Sequence, residues 1–152
     1  MNDNQTIRRL MCGTMRQGNC LYDRRGLCSL LSMDEVIDLF PSVGVTMCGE
    51  SFIRFSSLSS VIDLLRPSDP EAVCGGVLVI TPYSFGVVCT TTTFFLFDSH
   101  SHGDQGALFS KVPVSEVAFY LRSFFTSYYR HLNCNDTSGA NNAAHLTSLS
   151  VG

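Results

Sequence analysis

The period of apolar and polar positions changes several times along the chain, and each change marks an element. Gly76–Thr81 (GVLVIT), Phe85–Thr90 (FGVVCT) and Thr92–Asp98 (TTFFLFD) are dominated by β-branched and aromatic residues, which predicts three strands. Their connections, the turn-like Pro82–Ser84 and a run of threonines, are short enough to imply antiparallel neighbours. Leu108–Val112 adds an edge strand ahead of Pro113, and Glu50–Phe55 reads as a further short strand.

A helical period replaces the strand pattern elsewhere. Met33, Val36, Ile37 and Phe40 fall at i, i+3, i+4 and i+7, with Ser32 and Glu35 as a capping box, so a helix is expected over 33–40, ended by Pro41. Leu58, Val61, Ile62 and Leu65 repeat the pattern and stop at Arg66–Pro67. Ser115 is expected to cap a longer helix with Val117, Tyr120, Leu121, Phe124 and Tyr128 on one face. Residues 12–27 are aperiodic and punctuated by glycine, hence a long loop, and 133–152 are small and polar, hence a disordered tail or the end of a longer chain. The expected organisation is one α+β domain over 1–132 followed by the tail.

At 152 residues and 45% hydrophobic types the chain can build one substantial core. A net charge of -3 without a dense Lys/Arg stripe argues against nucleic acid as the partner. No apolar run approaches the roughly 20 residues of a membrane span, and the N-terminus lacks the apolar core of a signal peptide. The expectation is a soluble, intracellular, monomeric domain without cofactor. Seven cysteines, at 12, 20, 28, 48, 74, 89 and 134, are scattered without the paired spacing of a structural zinc site.

Chemistry concentrates where the aromatic strand ends in DSHSHG. In an extended run Phe94, Leu96, Asp98 and His100 share one face and Phe95, Phe97 and Ser99 the other, so a carboxylate and an imidazole leave the core together. This pairing suits a general base and the acid that orients it. Two other readings compete: a plain surface turn, which these residue types favour, and a metal site of Asp98, His100 and His102, which no further His or Glu cluster completes. For a nucleophile, Cys28 has the most suitable surroundings, at the end of a glycine-bearing loop just ahead of a helix whose dipole would favour the thiolate. Cys12 and Cys20 compete for that role, and Gln17 could donate to an oxyanion.

The segments QGNCLYDRRGLC (Gln17–Cys28) and VLVITPYSFGVVC…FFLFDSHSHG (Val77–Gly103) resemble the cysteine protease domain of herpesvirus large tegument proteins, which removes ubiquitin. The resemblance covers about 60 residues and the helix that follows. It implies a papain-like fold, with a helix carrying the cysteine packed on an antiparallel sheet. It implies Cys28 as nucleophile, His100 as base, Asp98 as its orienter and Gln17 as oxyanion donor. It further implies a deubiquitinase acting on ubiquitin or a ubiquitin-like protein, in the virion tegument and in the host cytoplasm and nucleus. Leu27 stands where the family has glutamine, and about 70 residues separate Cys28 from Asp98, fewer than in the viral proteins. The alternative is therefore an inactive relative that binds ubiquitin or another partner.

Overall fold

The computed structural model describes residues 45–54, 57–80, 82–132 and 143–151 as continuous stretches, together with Gln5, Arg9, Gly13, Arg16, Gln17, Glu35, Ile37 and Asp38. The chain divides into two compact units, Met1–Val43 and Gly44–Gly152. In the first, the described residues are all helical. Glu35, Ile37 and Asp38 fit the helix expected over 33–40, whereas Gly13, Arg16 and Gln17 are helical within the stretch expected to be loop.

The second unit is built on one antiparallel sheet. Its strands are β1 (Val45–Arg54), β2 (Cys74–Ile80), β3 (Tyr83–Cys89), β4 (Thr93–Asp98), β5 (Leu108–Pro113) and β6 (Ala143–Val151). The spatial order is β1-β6-β2-β3-β4-β5, and all five neighbouring pairs run antiparallel. Among the described residues two α-helices accompany it, α1 (Ser60–Leu65) and α2 (Val117–Tyr128). Among the described residues no helix is long and apolar enough to cross a membrane.

Short connections set the register of β2, β3 and β4. Ile80 pairs with Tyr83 and Cys74 with Cys89, so β2 and β3 form a tight hairpin. Between β3 and β4 the Thr90 side chain accepts hydrogen bonds from the backbone N–H groups of Thr92 and Thr93, at 3.3 and 3.0 Å. The threonine run thus makes a turn by supplying its own acceptor. Alternation along β4 places Phe94, Leu96 and Asp98 on the buried face, the face expected from the sequence.

The core lies between this sheet face and the helices. Phe85, Phe94, Leu96, Leu78 and Leu146 from the sheet meet Val61 and Leu65 of α1 and Val117, Leu121, Phe124 and Phe125 of α2. The buried stripe of α2 is rotated from the expected one. Phe125 is fully buried while Tyr128 is exposed, and no side chain caps the helix, whose start is preceded by a 3-10 turn at Val114–Glu116.

One expectation is corrected outright. Ala143–Val151, placed by composition in a disordered tail, is a strand at the heart of the sheet, paired with β1 on one side and β2 on the other. The alternation Ala144, Leu146 against His145, Thr147 is visible in retrospect, but serine and threonine dilute it. The β-sheet partners, and not intrinsic preference, decide its state.

Candidate functional site

The site begins where β4 runs out. Asp98 is the last residue of that strand and is fully buried, an expensive position for a carboxyl group without partners. Its oxygens are taken up by four groups. Oδ1 meets the His100 backbone N–H at 2.9 Å and His100 Nδ1 at 2.6 Å. Oδ2 meets His102 Nε2 and the Tyr129 hydroxyl, both at 2.6 Å.

Burial alone would raise the Asp98 carboxyl's pKa. The hydrogen bonds from Tyr129, the His100 backbone, His102 and the His100 ring outweigh it and hold the group below the ordinary carboxylate range. The carboxylate is therefore ionised and only accepts, so each of its four partners must donate. This assigns the protons. His100 carries hydrogen on Nδ1 and, when neutral, a lone pair on Nε2; His102 carries hydrogen on Nε2; Tyr129 gives its O–H to Asp98. Tyr129 is held protonated, its pKa driven far up by burial first and by the adjoining carboxylate second.

The loop after β4 makes the second imidazole contact possible. It runs through a 3-10 turn at Gly103–Gln105, closed by a hydrogen bond from the His102 N–H to the Gly106 carbonyl at 3.2 Å. Gly103 and Gly106 hold φ of 58° and 66°, the conformations that let the chain reverse and fold His102 back toward Asp98. Tyr129 arrives from another element, just after the last residue of α2, while Phe85 packs edge-on against both Phe125 and Tyr129.

The two histidines differ in access. The His100 side chain is 36% exposed and that of His102 only 11%. Tyr83 packs edge-on against the His100 ring at 5.2 Å, and its hydroxyl is 2.9 Å from His131 Nε2. His102 lies against Tyr128, with ring centroids 4.8 Å apart. Of the two, His100 presents the more open ring, bound to the carboxylate through Nδ1. The cluster does not resemble a metal site, since every Asp98 lone pair already faces a donor, and among the described residues no group of His, Cys, Asp and Glu is arranged to hold an ion.

Of the residues singled out from the sequence, Asp98 and His100 are brought together. Gln17 is helical and exposed in the N-terminal unit, and Cys28 lies outside the described residues. Among the described cysteines Cys89 is the buried one. Burial, partly opposed by Arg66, pushes its thiol pKa up, which makes it an inert core residue. Sequence reasoning missed Tyr129, Tyr83 and His131. Tyr129 carried a signal, lying four residues beyond Phe125 on the same helical face.

The sequence matches no protein-family model and no curated protein. In fold the chain is similar to the crystal structure of the Pseudomonas avirulence protein AvrPphB, with a TM-score of 0.51 and 12% sequence identity over 74% of this chain. The match covers 57% of AvrPphB, so the chain spans little more than half of that protein, and at this identity the likeness concerns the fold.

Proposed function

We propose that the chain is a thiol-dependent peptidase, a deubiquitinase that cleaves after the C-terminal Gly-Gly of ubiquitin, within a viral large tegument protein or a relative of one. The observation that carries the reading is the 2.6 Å contact between Asp98 and His100 Nδ1, on a side chain that remains 36% exposed. A base held in one tautomer by a buried carboxylate is the acid–base half of a cysteine or serine peptidase. The likeness to the avirulence protein AvrPphB, at 12% identity, bears on the fold alone. The ubiquitin specificity and Cys28 as nucleophile come from the sequence resemblance.

In this mechanism His100 Nε2 takes the proton of the Cys28 thiol, and the thiolate attacks the carbonyl carbon of the terminal glycine. Gln17 and the Cys28 backbone N–H hold the oxyanion. The imidazolium, stabilised by Asp98, returns its proton to the departing lysine amine. Water, deprotonated by the same ring, then releases the acyl group.

The test is ubiquitin carrying a C-terminal electrophile. The expected result is a covalent adduct mapped to Cys28 by mass spectrometry and lost in Cys28→Ala. A folded protein that binds ubiquitin without forming the adduct is a binding module and overturns the peptidase assignment.

A further inference from the structure

Catalytic acids commonly serve one histidine. Here one carboxylate serves two, and the second has no place in the mechanism above. His102 Nε2 and the Tyr129 hydroxyl both meet Asp98 Oδ2 at 2.6 Å and lie 3.4 Å from each other. Both donate to Asp98, which leaves at most a weak share of the His102 N–H for the Tyr129 oxygen, and they clamp Oδ2 from two directions. Both rings pack at the end of α2, with 5.4 Å between their centroids, but they are carried on different segments. His102 is carried on the glycine-shaped loop after β4 and packs on Tyr128, whereas Tyr129 follows α2 and packs on Phe85 and Phe125. A carboxylate has one soft torsion about its terminal bond. Fixing Oδ2 at two points leaves Oδ1 a single direction, the one that meets His100 Nδ1.

We propose that His102 is a positioning residue for His100, acting with Tyr129 through Asp98 to hold the base in one tautomer and one ring orientation. This deepens the peptidase reading and rests on it for its consequence in turnover, while the tautomer itself is independent of any reaction. His102 is too enclosed to act as the base, and its distance from solvent suits a strut. Glutamine at 102 keeps an N–H donor for Oδ2, and leucine keeps only bulk.

The experiment uses the whole chain, as wild type, His102→Leu, His102→Gln and Tyr129→Phe. Imidazole nitrogen–proton correlation spectra report the tautomers directly. The expected result is hydrogen on His100 Nδ1 and His102 Nε2 in the wild type, with loss or exchange broadening of the His100 Nδ1–H signal in His102→Leu and its recovery in His102→Gln. With ubiquitin bearing a C-terminal fluorogenic amide, kcat falls about tenfold in His102→Leu with little change in KM, and His102→Gln regains most of it. A His100 signal unchanged in His102→Leu, with wild-type turnover, overturns the proposal. If no variant and no wild type turns over, the peptidase reading fails, and the spectra still decide the positioning role. Should His102→Leu not fold, Tyr129→Phe supplies the same spectral comparison, and an unchanged His100 signal there overturns the clamp.

Discussion

The Tyr129 hydroxyl reaches the Asp98 carboxylate at 2.6 Å across 31 positions of sequence, and this one bond ties the end of α2 to the end of the strand that carries the site. The hydroxyl is a neutral donor to a buried anion, the class of hydrogen bond that contributes most, roughly 1.5–3 kcal/mol. Tyr129→Phe keeps the ring packed on Phe85 and Phe125 while removing the donor. The expected outcome is a folded protein destabilised by about 2 kcal/mol in urea denaturation at neutral pH. A change within a few tenths of a kilocalorie would show that water replaces the hydroxyl.

The same pair sets a pH window. Asp98 has a lowered pKa in the folded chain, so its stabilisation is complete above the ordinary carboxylate value of about 4 and disappears as pH falls through the lower folded value. Tyr129 has a raised pKa, so its contribution is complete below the ordinary phenol value of about 10 and declines as pH rises beyond it. Asp98→Asn should flatten part of the acid limb of a stability profile and Tyr129→Phe part of the alkaline limb. Chemical denaturation at intervals from pH 2.5 to 11 measures both.

Much of this unit was legible in the sequence, and the exceptions share a cause. The hairpin of β2 and β3, β4 with its buried Phe94, Leu96 and Asp98, and edge strand β5 all follow from local pattern, because adjacent strands joined by short turns carry their own register. The pairing of Asp98 with His100 was visible for the same reason, being separated by one residue. What depended on distant partners was not visible. β6 owes its strand state to β1 and β2, and Tyr129 owes its role to a carboxylate in another element. The second contact of His102 needed the turn geometry of Gly103 and Gly106, which residue spacing does not encode.

Gly106 combines φ 66° with ψ -146°, a region almost closed to residues with a Cβ. An added Cβ would meet nothing within 4 Å, so the obstacle to substitution is backbone conformation and not space. Gly106→Ala should destabilise by about 1–3 kcal/mol. Because the Gly106 carbonyl accepts from the His102 N–H, it should also shift the His102 imidazole resonances more than those of His131. Equal shifts at both rings would indicate a general loosening.

The late strand invites a harsher test. Leu146 is fully buried in β6, and Leu146→Ala should cost about 2–5 kcal/mol through lost contacts and the cavity left behind. At Gly76 an added Cβ would stand 2.6 Å from the Thr147 carbonyl oxygen, so Gly76→Ala should force β2 and β6 apart. Truncation after residue 132 would leave β1 and β2 with unpaired facing edges, and the expected product is aggregated or unfolded. A truncated chain with a native-like, cooperative melt would contradict the sheet order.

Turnover should separate the roles of the two residues at the end of β4. In the proposed mechanism His100→Ala removes the base, and it is expected to lower kcat/KM on a ubiquitin C-terminal amide by several orders of magnitude. Asp98→Asn leaves a ring in place but exchanges an anion for an amide whose NH₂ cannot accept from His100 Nδ1–H; a fall of about 10²–10⁴ is expected, mainly in kcat. With the carboxylate gone the imidazolium formed during attack loses its counter-charge, so the loss should persist across neutral pH. Electrophile labelling of Cys28 gives an independent check, since it depends on thiolate formation alone: labelling as fast in Asp98→Asn as in the wild type would mean that the carboxylate does not act through His100.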